Sequence, residues 1–548
     1  MPNLKPKFSR DAAMVKSLLR MTTDGEYISP VIITPDVMGG ERKIKSVAII
    51  GAGAAGAVTA AAFKAENYFE KIQVFERREF AGGTWIYDSN PSELPSLQPG
   101  SLPPDIDPAM EIPGDLPQVK PHSQQERYSQ TPIYHSLTTN VPDIAMSFSD
   151  AKFAYGPFAP HWVPRQYIEN YFSLHKTDSI LVLNTTVEDV TRVPAKHRSE
   201  QWRLTLRKFD AAQNVDIWWQ EVFDAVVLAN GHYSVPYVPY VKGLDEYIKK
   251  FPGRVIHSKI YRSPQPFTGK KVVTIGNSAS GHDVTEELVQ TVHTPVFQSR
   301  RSKSRWDSNK PPPGIVWKPI IKEYRLDGRI IFDDDSYLDD IDHVIYCTGY
   351  KPSYPFWNSK ANSGRALYDY KQGKLIKTFQ HTFFQDFQTL GIVGMPRVLT
   401  FRSFEYQAVA LARVFSGRHS VALPPVEEQE RWEREREKLV SRERRKFHDI
   451  QWETGETFEW LNWLFRVAGL PTLRGKGRTP PVMSEELIWA VENLRKYPEP
   501  GNPKDGDDSQ QKAEISHARL YGGGRGHNGD EEKEKCSLLQ KKDLLAFV

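Results

Sequence analysis

The pattern of apolar and polar positions changes abruptly at Ile44. Residues 46–50 form an apolar strand, followed by a Gly/Ala turn, a small-residue helix over 57–64 and a second strand over 71–75, which is one βαβ unit. The same signature returns later in the chain. A strand over 271–275 leads through a Gly-containing turn into a helix over 283–292, and another apolar strand covers 342–348. Between the two units lie an aromatic-rich stretch at 134–172, strand-like segments near 180–183 and 202–206, and an apolar run at 223–230.

Residues 90–129 are crowded with Pro, Ser, Gly and Asp, a composition that predicts a long surface loop with no helix or central strand. Residues 424–446 carry both signs of charge at helical spacing, which predicts a solvated helix with no chemistry of its own. Residues 1–43 read as a polar extension with one short helix over 11–20. The stretch 501–548 reads as a disordered tail.

Each unit carries a constellation suited to a dinucleotide. Gly51, Gly53 and Gly56 follow the first strand and open its helix, allowing a tight turn, close approach of a pyrophosphate, and close helix–strand packing. The anion then meets the partial positive charge and unpaired N–H groups of a helix N-terminus. Twenty residues beyond Gly56, at the end of the next strand, stands Glu76. A carboxylate there accepts hydrogen bonds from ribose hydroxyls and repels a 2′-phosphate, so the site suits FAD or NAD.

In the second unit the turn reads Gly276, Asn277, Ser278, Ala279, Ser280, Gly281, with Ser278 at the place of the middle glycine. Nineteen residues beyond Gly281 come Arg300 and Arg301, with Lys303 and Arg305 nearby. A guanidinium at that place can grip a 2′-phosphate, the sign expected for NADP. One chain with an acidic and a basic dinucleotide site points to electrons passing from NADPH to a flavin. Segments 229–231 and 347–350 each end an apolar strand in a Gly-containing turn, as expected where a chain passes between two nucleotide domains.

Composition narrows the function further. At 548 residues, 39% hydrophobic and 26% charged, the chain has the composition of a large globular protein. Its net charge of +4 lacks the basic excess of a nucleic-acid binder. The two cysteines, Cys347 and Cys536, exclude a disulfide framework, a Cys-based zinc site and a CxxC disulfide reductase. The longest uncharged run, 47–63, is built of Gly and Ala, so no transmembrane segment is expected, and no secretory signal opens the chain; a cytoplasmic location follows as the expectation. No metal site is expected, and self-association is left open.

The segment Phe251-x-Gly253-x-x-x-His257-x-x-x-Tyr261, just ahead of the second turn, matches the identifying pattern of the flavin-containing monooxygenases, class B flavoproteins, which this sequence resembles from about 44 to 418 with two insertions. The resemblance implies an α/β fold of two Rossmann-like dinucleotide-binding domains, the NADP domain inserted into the FAD domain. The corresponding boundaries are 44–232 and 345–500 for FAD, with the insertion at 90–129 in the first part and a helical region ending the second, and 233–344 for NADP. Gly82-Gly83-Thr84-Trp85 looks like the segment covering the flavin. Thr139 and Asn140 fall in the segment that carries the family's active-site asparagine, which would be Asn140. Gln407 lies in the late element that returns to the flavin domain.

The family's cofactors, FAD and NADPH, and its reaction follow as implications: NADPH reduces the flavin, dioxygen adds to give a C4a-hydroperoxyflavin, and one oxygen atom passes to a soft nitrogen or sulfur of a small molecule. His257 is expected to be structural. Tyr261-Arg262 stands where Baeyer–Villiger enzymes usually have a Trp-Pro or Phe-Pro ending, which favours heteroatom oxygenation. Oxygenation of a ketone is the alternative, and a catalytically silent flavoprotein subunit is a third reading.

Overall fold

The computed structural model describes residues 44–496 except 92–93, 126, 196–197, 305–306, 308 and 471–476. The expected extension with its short helix, the expected tail and Arg305 lie outside the described residues.

Strand β1 (Ser46–Ile50), helix α1 (Ala54–Ala65) and strand β2 (Lys71–Phe75) form the first βαβ unit. β1 pairs in parallel with β2 on one side and with Ala225–Leu228 on the other. Leu181–Val182 extends the sheet beyond β2, and Leu390–Ile392 followed by two short antiparallel strands extends it beyond Ala225–Leu228. The strands are apolar runs because both faces are covered, one by helices and the other by an antiparallel sheet. Helix α1 begins three residues earlier than the pattern suggests, at Ala54, so Gly56 lies within its first turn. Alanines let it sink into the core, where every residue from Ala54 to Phe63 is buried.

Strand β3 (Val272–Ile275), helix α2 (Ala279–Leu288) and strand β4 (Val296–Ser299) form the second unit. Its five-stranded sheet is parallel throughout, in the order Val255–His257, His343–Tyr346, β3, β4, Ile315–Lys318. The strand His343–Tyr346 belongs wholly to this sheet, so the passage back to the first sheet falls after Tyr346 and not at 344/345. Just beyond the two Gly-containing turns, Val235–Pro236 and Tyr350–Lys351 pair antiparallel, and the two passages run side by side. Among the described residues no helix is long and apolar enough to cross a membrane.

Two expectations are corrected. The Pro-rich insertion is not only a surface loop. Gln118–Pro121 adds an edge strand to an antiparallel sheet formed with Thr185–Ala195, Arg198–Asp210 and Val215–Phe223, the kind of place where a proline is tolerated. Asp107 from the same insertion is buried, where it accepts hydrogen bonds from Arg127 (3.1 Å) and Ser353 (2.6 Å).

Nor is the charged helix solvated all round. Val426–Arg442 buries Gln429, Glu433, Arg436 and Val440 along one face. Glu433 pairs with Lys374 at 2.7 Å, and Arg436 donates to the carbonyls of Phe447 and Asp449, each at 2.7 Å, and pairs with Glu456. Charge alternation hid an inward face whose charges are neutralised by partners distant in sequence. This face fixes the segment after the helix, which lines the cavity described below.

Candidate active site

The two glycine turns are built alike. Gly51 has φ +107°, and a Cβ there would lie 2.6 Å from the Ala229 carbonyl oxygen; at Gly276, with φ +110°, it would lie 2.7 Å from that of Cys347. A Cβ on Gly56 would meet the Gly51 oxygen at 1.9 Å, and one on Gly281 the Gly276 oxygen at 2.3 Å. Only glycine fits at these four places, because the backbone of the adjoining strand or turn already occupies the space. Ser278 is different. It has φ −87° and ψ −172°, nearly the conformation of Gly53 (φ −78°, ψ −167°), so a side chain is admitted without strain. Gly53 instead leaves room for Gly83, whose Cα is 3.4 Å from the Cβ position. Neither helix carries an acidic residue in its first turn, so no carboxylate there repels an arriving phosphate.

Glu76 is 4% exposed; its carboxylate accepts from the backbone N–H of Ala52 (2.8 Å) and of Arg78 (3.0 Å). These bonds aim it at the turn. On the other unit, the Arg300 guanidinium lies 3.4 Å from the centre of the Trp317 ring and donates to Asp307 at 2.9 Å. Asp307 also accepts from Asn277 (2.7 Å) and from the Ser304 N–H (2.7 Å), which fixes the loop that presents the cation. Arg301 is exposed and makes no ion pair among the described residues.

One continuous cavity of about 1710 Å³ reaches both turns. That exceeds the ~300–1,000 Å³ of a site for one drug-sized ligand. Its wall includes Gly51, Gly53, Glu76, Thr84 and Trp85 on the first unit, and Gly276, Ser278, Ser280, Arg300 and Arg301 on the second. Asn140 also faces it, with no side-chain hydrogen bond to a described residue. Four expected residues do not line it. Gly56 and Gly281 act by letting helix and strand close together. Thr139 is turned inward, its hydroxyl accepting from the Ala159 N–H at 3.0 Å. Gln407 is wholly buried and supports Gly394, a wall residue, by accepting from its N–H at 3.0 Å.

His257 is structural, as expected. Its Nδ1 accepts from the Lys259 N–H (3.1 Å), which leaves Nε2–H to donate to the Gly349 carbonyl (3.1 Å) in the second crossover. Loss of hydration holds its pKa down to about 3, so the ring is neutral. Among the described residues no cluster of ligating side chains could hold a metal.

Sequence reasoning missed several wall residues. His232 donates from Nδ1 to the Gly394 carbonyl (3.1 Å) and leaves Nε2, buried in the wall, without a protein partner; burial pulls it to about 3 as well. Asp283 on α2 pairs with Lys496 at 3.0 Å and accepts from Tyr134. Of the residues that pose Arg300, Asp307 carried no signal except its distance of six residues from the basic pair, and Trp317, sixteen residues beyond it, carried none.

Residues 105–310 and 313–462 match the family model for flavin-binding monooxygenase-like proteins, and 49–95 match that of the NAD(P)-binding Rossmann-like domain. The chain belongs to the flavin-binding monooxygenase family. Among its relatives in Arabidopsis thaliana, flavin-containing monooxygenase FMO GS-OX-like 9 is 33% identical over 391 residues, covering 69% of this chain and 77% of that one. FMO GS-OX5 is 30% identical over 443 residues, covering 78% and 85%. The fold matches that of S-allyl-L-cysteine S-oxygenase from Allium sativum, with a TM-score of 0.64 at 24% identity over 86% of this chain and 98% of that one.

As a flavin-binding monooxygenase with an NAD(P)-binding Rossmann-like domain, the protein is an enzyme that binds a flavin and a nicotinamide dinucleotide. The residues present fit both groups. The glycine cradles are spaces that any Cβ would fill, Glu76 offers a carboxylate where a bare ribose belongs, and Arg300 with Arg301 offers charge where a 2′-phosphate belongs.

Proposed function

We propose that this enzyme uses NADPH and dioxygen to place one oxygen atom on a soft nitrogen or sulfur of a small molecule, the other atom leaving as water. The observation that carries this reading is the single cavity that joins the Glu76 carboxylate, the Arg300–Arg301 pair and the Asn140 amide, which makes no side-chain hydrogen bond to a described residue. When bound, the flavin supplies hydride acceptance and oxygen activation. The chain's part is to bind, orient and exclude.

Gly51, Gly53 and the α1 N-terminus would hold the FAD pyrophosphate, with Glu76 on its ribose and Thr84 and Trp85 beside it. Gly276, Ser278, Ser280 and the α2 N-terminus would hold that of NADPH, with Arg300 and Arg301 on the 2′-phosphate. Gly56 and Gly281 set the helix packing, while Thr139 holds the Asn140 loop and Gln407 holds Gly394. The Asn140 amide can donate and accept without carrying charge, which suits a group that orients a reactive adduct while water is kept out. No acid–base dyad or nucleophile is needed. Cys347 is unsuited to be one, because burial pushes its thiol up to about 12.

The test is to supply NADPH, isotopically labelled dioxygen and either a thioether, a tertiary amine or a ketone to the flavin-loaded enzyme. Label in a sulfoxide or N-oxide is the expected result. Label in an ester would establish the Baeyer–Villiger alternative, and NADPH consumption absent with every substrate would establish a silent flavoprotein.

A further inference from the structure

Asp283 is the fifth residue of α2, three beyond Ser280 of the second glycine turn, and its carboxylate joins two segments from elsewhere in the chain. One oxygen, Oδ2, accepts from the hydroxyl of Tyr134 and from the ammonium of Lys496, the latter at 3.0 Å. The same ammonium donates to the Thr138 carbonyl, 3.4 Å away. Tyr134 and Thr138 belong to the segment that leads to Asn140, and Tyr134, Thr138, Asn140, Asp283 and Lys496 all line the cavity.

Each arm of this junction is anchored on its own side. The Tyr134 ring is buried among Tyr261, Phe267, Val284 and Leu288 in the core of the second unit. Lys496 follows helix α3 (Glu485–Asn493), whose Leu487, Ala490 and Val491 are buried in the cluster that packs on the first sheet, together with Ile144 and Ala145 just past Asn140. A segment fastened to the first unit thus reaches across to hook α2 of the second, and it closes over the backbone two residues ahead of Asn140. Asp283 and Lys496 are each 16% exposed, so solvent and salt weaken their attraction less than that of a surface pair. Lys496 lies beyond residue 462, where the family match ends, so the hook comes from outside the matched region.

We propose that Asp283 and Lys496 are positioning residues for the oxygenation: they fasten the Asn140 segment to the helix whose first turn receives the nicotinamide dinucleotide, and so set the register between the two. The proposal rests on the function given above for what is positioned, though not for the tie itself. With the tie broken, NADPH, dioxygen and a proton give NADP+ and hydrogen peroxide in place of oxygenated product.

The flavin-loaded wild type is compared with Lys496→Met, Asp283→Ala, the double variant and Lys496→Arg. Lys496→Met and Asp283→Ala each keep the wild-type flavin absorbance per chain, while affinity for NADP+ in equilibrium dialysis and sulfoxide formed from methyl phenyl sulfide per NADPH both fall about 5-fold or more, the scale on which such couplings act. The double variant is no weaker than the weaker single one, because the same bond is lost in each. Lys496→Arg stays within about twofold of the wild type, since it keeps the charge and the donor. Without any nucleotide, amide hydrogen exchange in peptides covering 134–140 and 485–496 is faster in Lys496→Met than in the wild type.

Unchanged NADP+ affinity and product yield in Lys496→Met, or additive losses in the double variant, overturn the proposal. So does a gain of NADP+ affinity in Asp283→Ala beside a loss in Lys496→Met, which would make the pair a matter of charge alone. Loss of flavin together with NADP+ in Lys496→Met assigns the residue to the fold at large and overturns it too. Where Asp283→Ala fails to fold, Lys496→Met and Lys496→Arg decide by themselves. Faster exchange in both segments, with no NADP+ bound even by the wild type, upholds the tie and overturns only the cofactor reading.

Discussion

The carbonyl oxygen of Cys347 stands 2.7 Å from where a side chain on Gly276 would begin, as that of Ala229 stands 2.6 Å from the same place on Gly51. Cys347 and Ala229 are therefore counterparts, each ending the strand that flanks a nucleotide turn in its own sheet. A cysteine serves in place of alanine because its buried thiol behaves as a small apolar group.

The two turns should fail independently. Gly51→Ala and Gly276→Ala each force a side chain onto backbone atoms at positive φ, a strain of about 1–3 kcal/mol or more. Gly51→Ala is expected to purify with flavin lost and Gly276→Ala with flavin retained but NADP+ binding weakened. Flavin absorbance per chain and equilibrium dialysis with NADP+ check this; joint loss of both cofactors in either variant contradicts it.

The basic pair should govern choice between nicotinamide cofactors. Replacing both Arg300 and Arg301 by Ala is expected to lower kcat/KM for NADPH by ~10–100-fold, from lost charge-assisted bonds to the 2′-phosphate. NADH should change by only about threefold. Parallel initial rates with the two cofactors decide it. Asp307→Asn should have a smaller effect in the same assay, since Arg300 keeps its stacking on Trp317.

Asn140→Ala is expected to keep bound flavin and NADPH oxidation while product per NADPH consumed falls at least ~10-fold, the scale on which loss of one positioned polar group acts. The missing oxygen should be recovered as hydrogen peroxide. Normal yield of oxygenated product would remove Asn140 from the site.

The inward face of the charged helix should matter for stability. Lys374 and Glu433 are each about nine-tenths buried and 2.7 Å apart. Glu433→Ala leaves a buried ammonium with only Glu437 as its carboxylate partner, and a loss of about 3 kcal/mol is expected. Glu435→Ala, at an exposed position of the same helix, should cost less than about 0.5 kcal/mol. Urea unfolding of the two variants compares them directly.

Acid should destabilise the fold from just below neutrality. Burial holds His232 and His257 down to about 3, against 6.5 for a solvated ring, and pushes His381 and His448 down as well. The unfolded chain then takes up protons that the folded chain refuses, so stability is full above pH 6.5 and falls as pH drops from 6.5 toward 3. Each ring contributes up to about 1.4 kcal/mol per pH unit in that window. Urea midpoints across that range should fall with a slope that His257→Asn makes shallower, and a flat profile would speak against neutral buried rings.

Local pattern sufficed for the two nucleotide units. β1, α1, β2, β3 and α2 lie at or within a few residues of where strand alternation and glycine spacing placed them, because each is a short-range motif whose constraints are steric. The sign of the charge after each second strand was readable for the same reason, since the strand's length carries the residue to the side of the glycine turn. Long-range pairing was not readable. Nothing local to 424–446 shows that Glu433 and Arg436 face Lys374 and Glu456, and the proline content of 90–129 concealed both an edge strand and the buried Asp107.

The sequence by itself determined that two mononucleotide folds of opposite charge occupy one chain, because glycine turns and strand ends obey rules that act within about twenty residues; that the second is inserted into the first was implied by the family resemblance. Only the tertiary structure decided that both turns open into one cavity, that Thr139 and Gln407 support its wall from behind, and that Asp283, Lys496 and His232 reach it from separate elements. Those facts depend on packing between segments far apart along the chain, where a residue's neighbours are set by the closure of the whole core and not by its own surroundings in sequence.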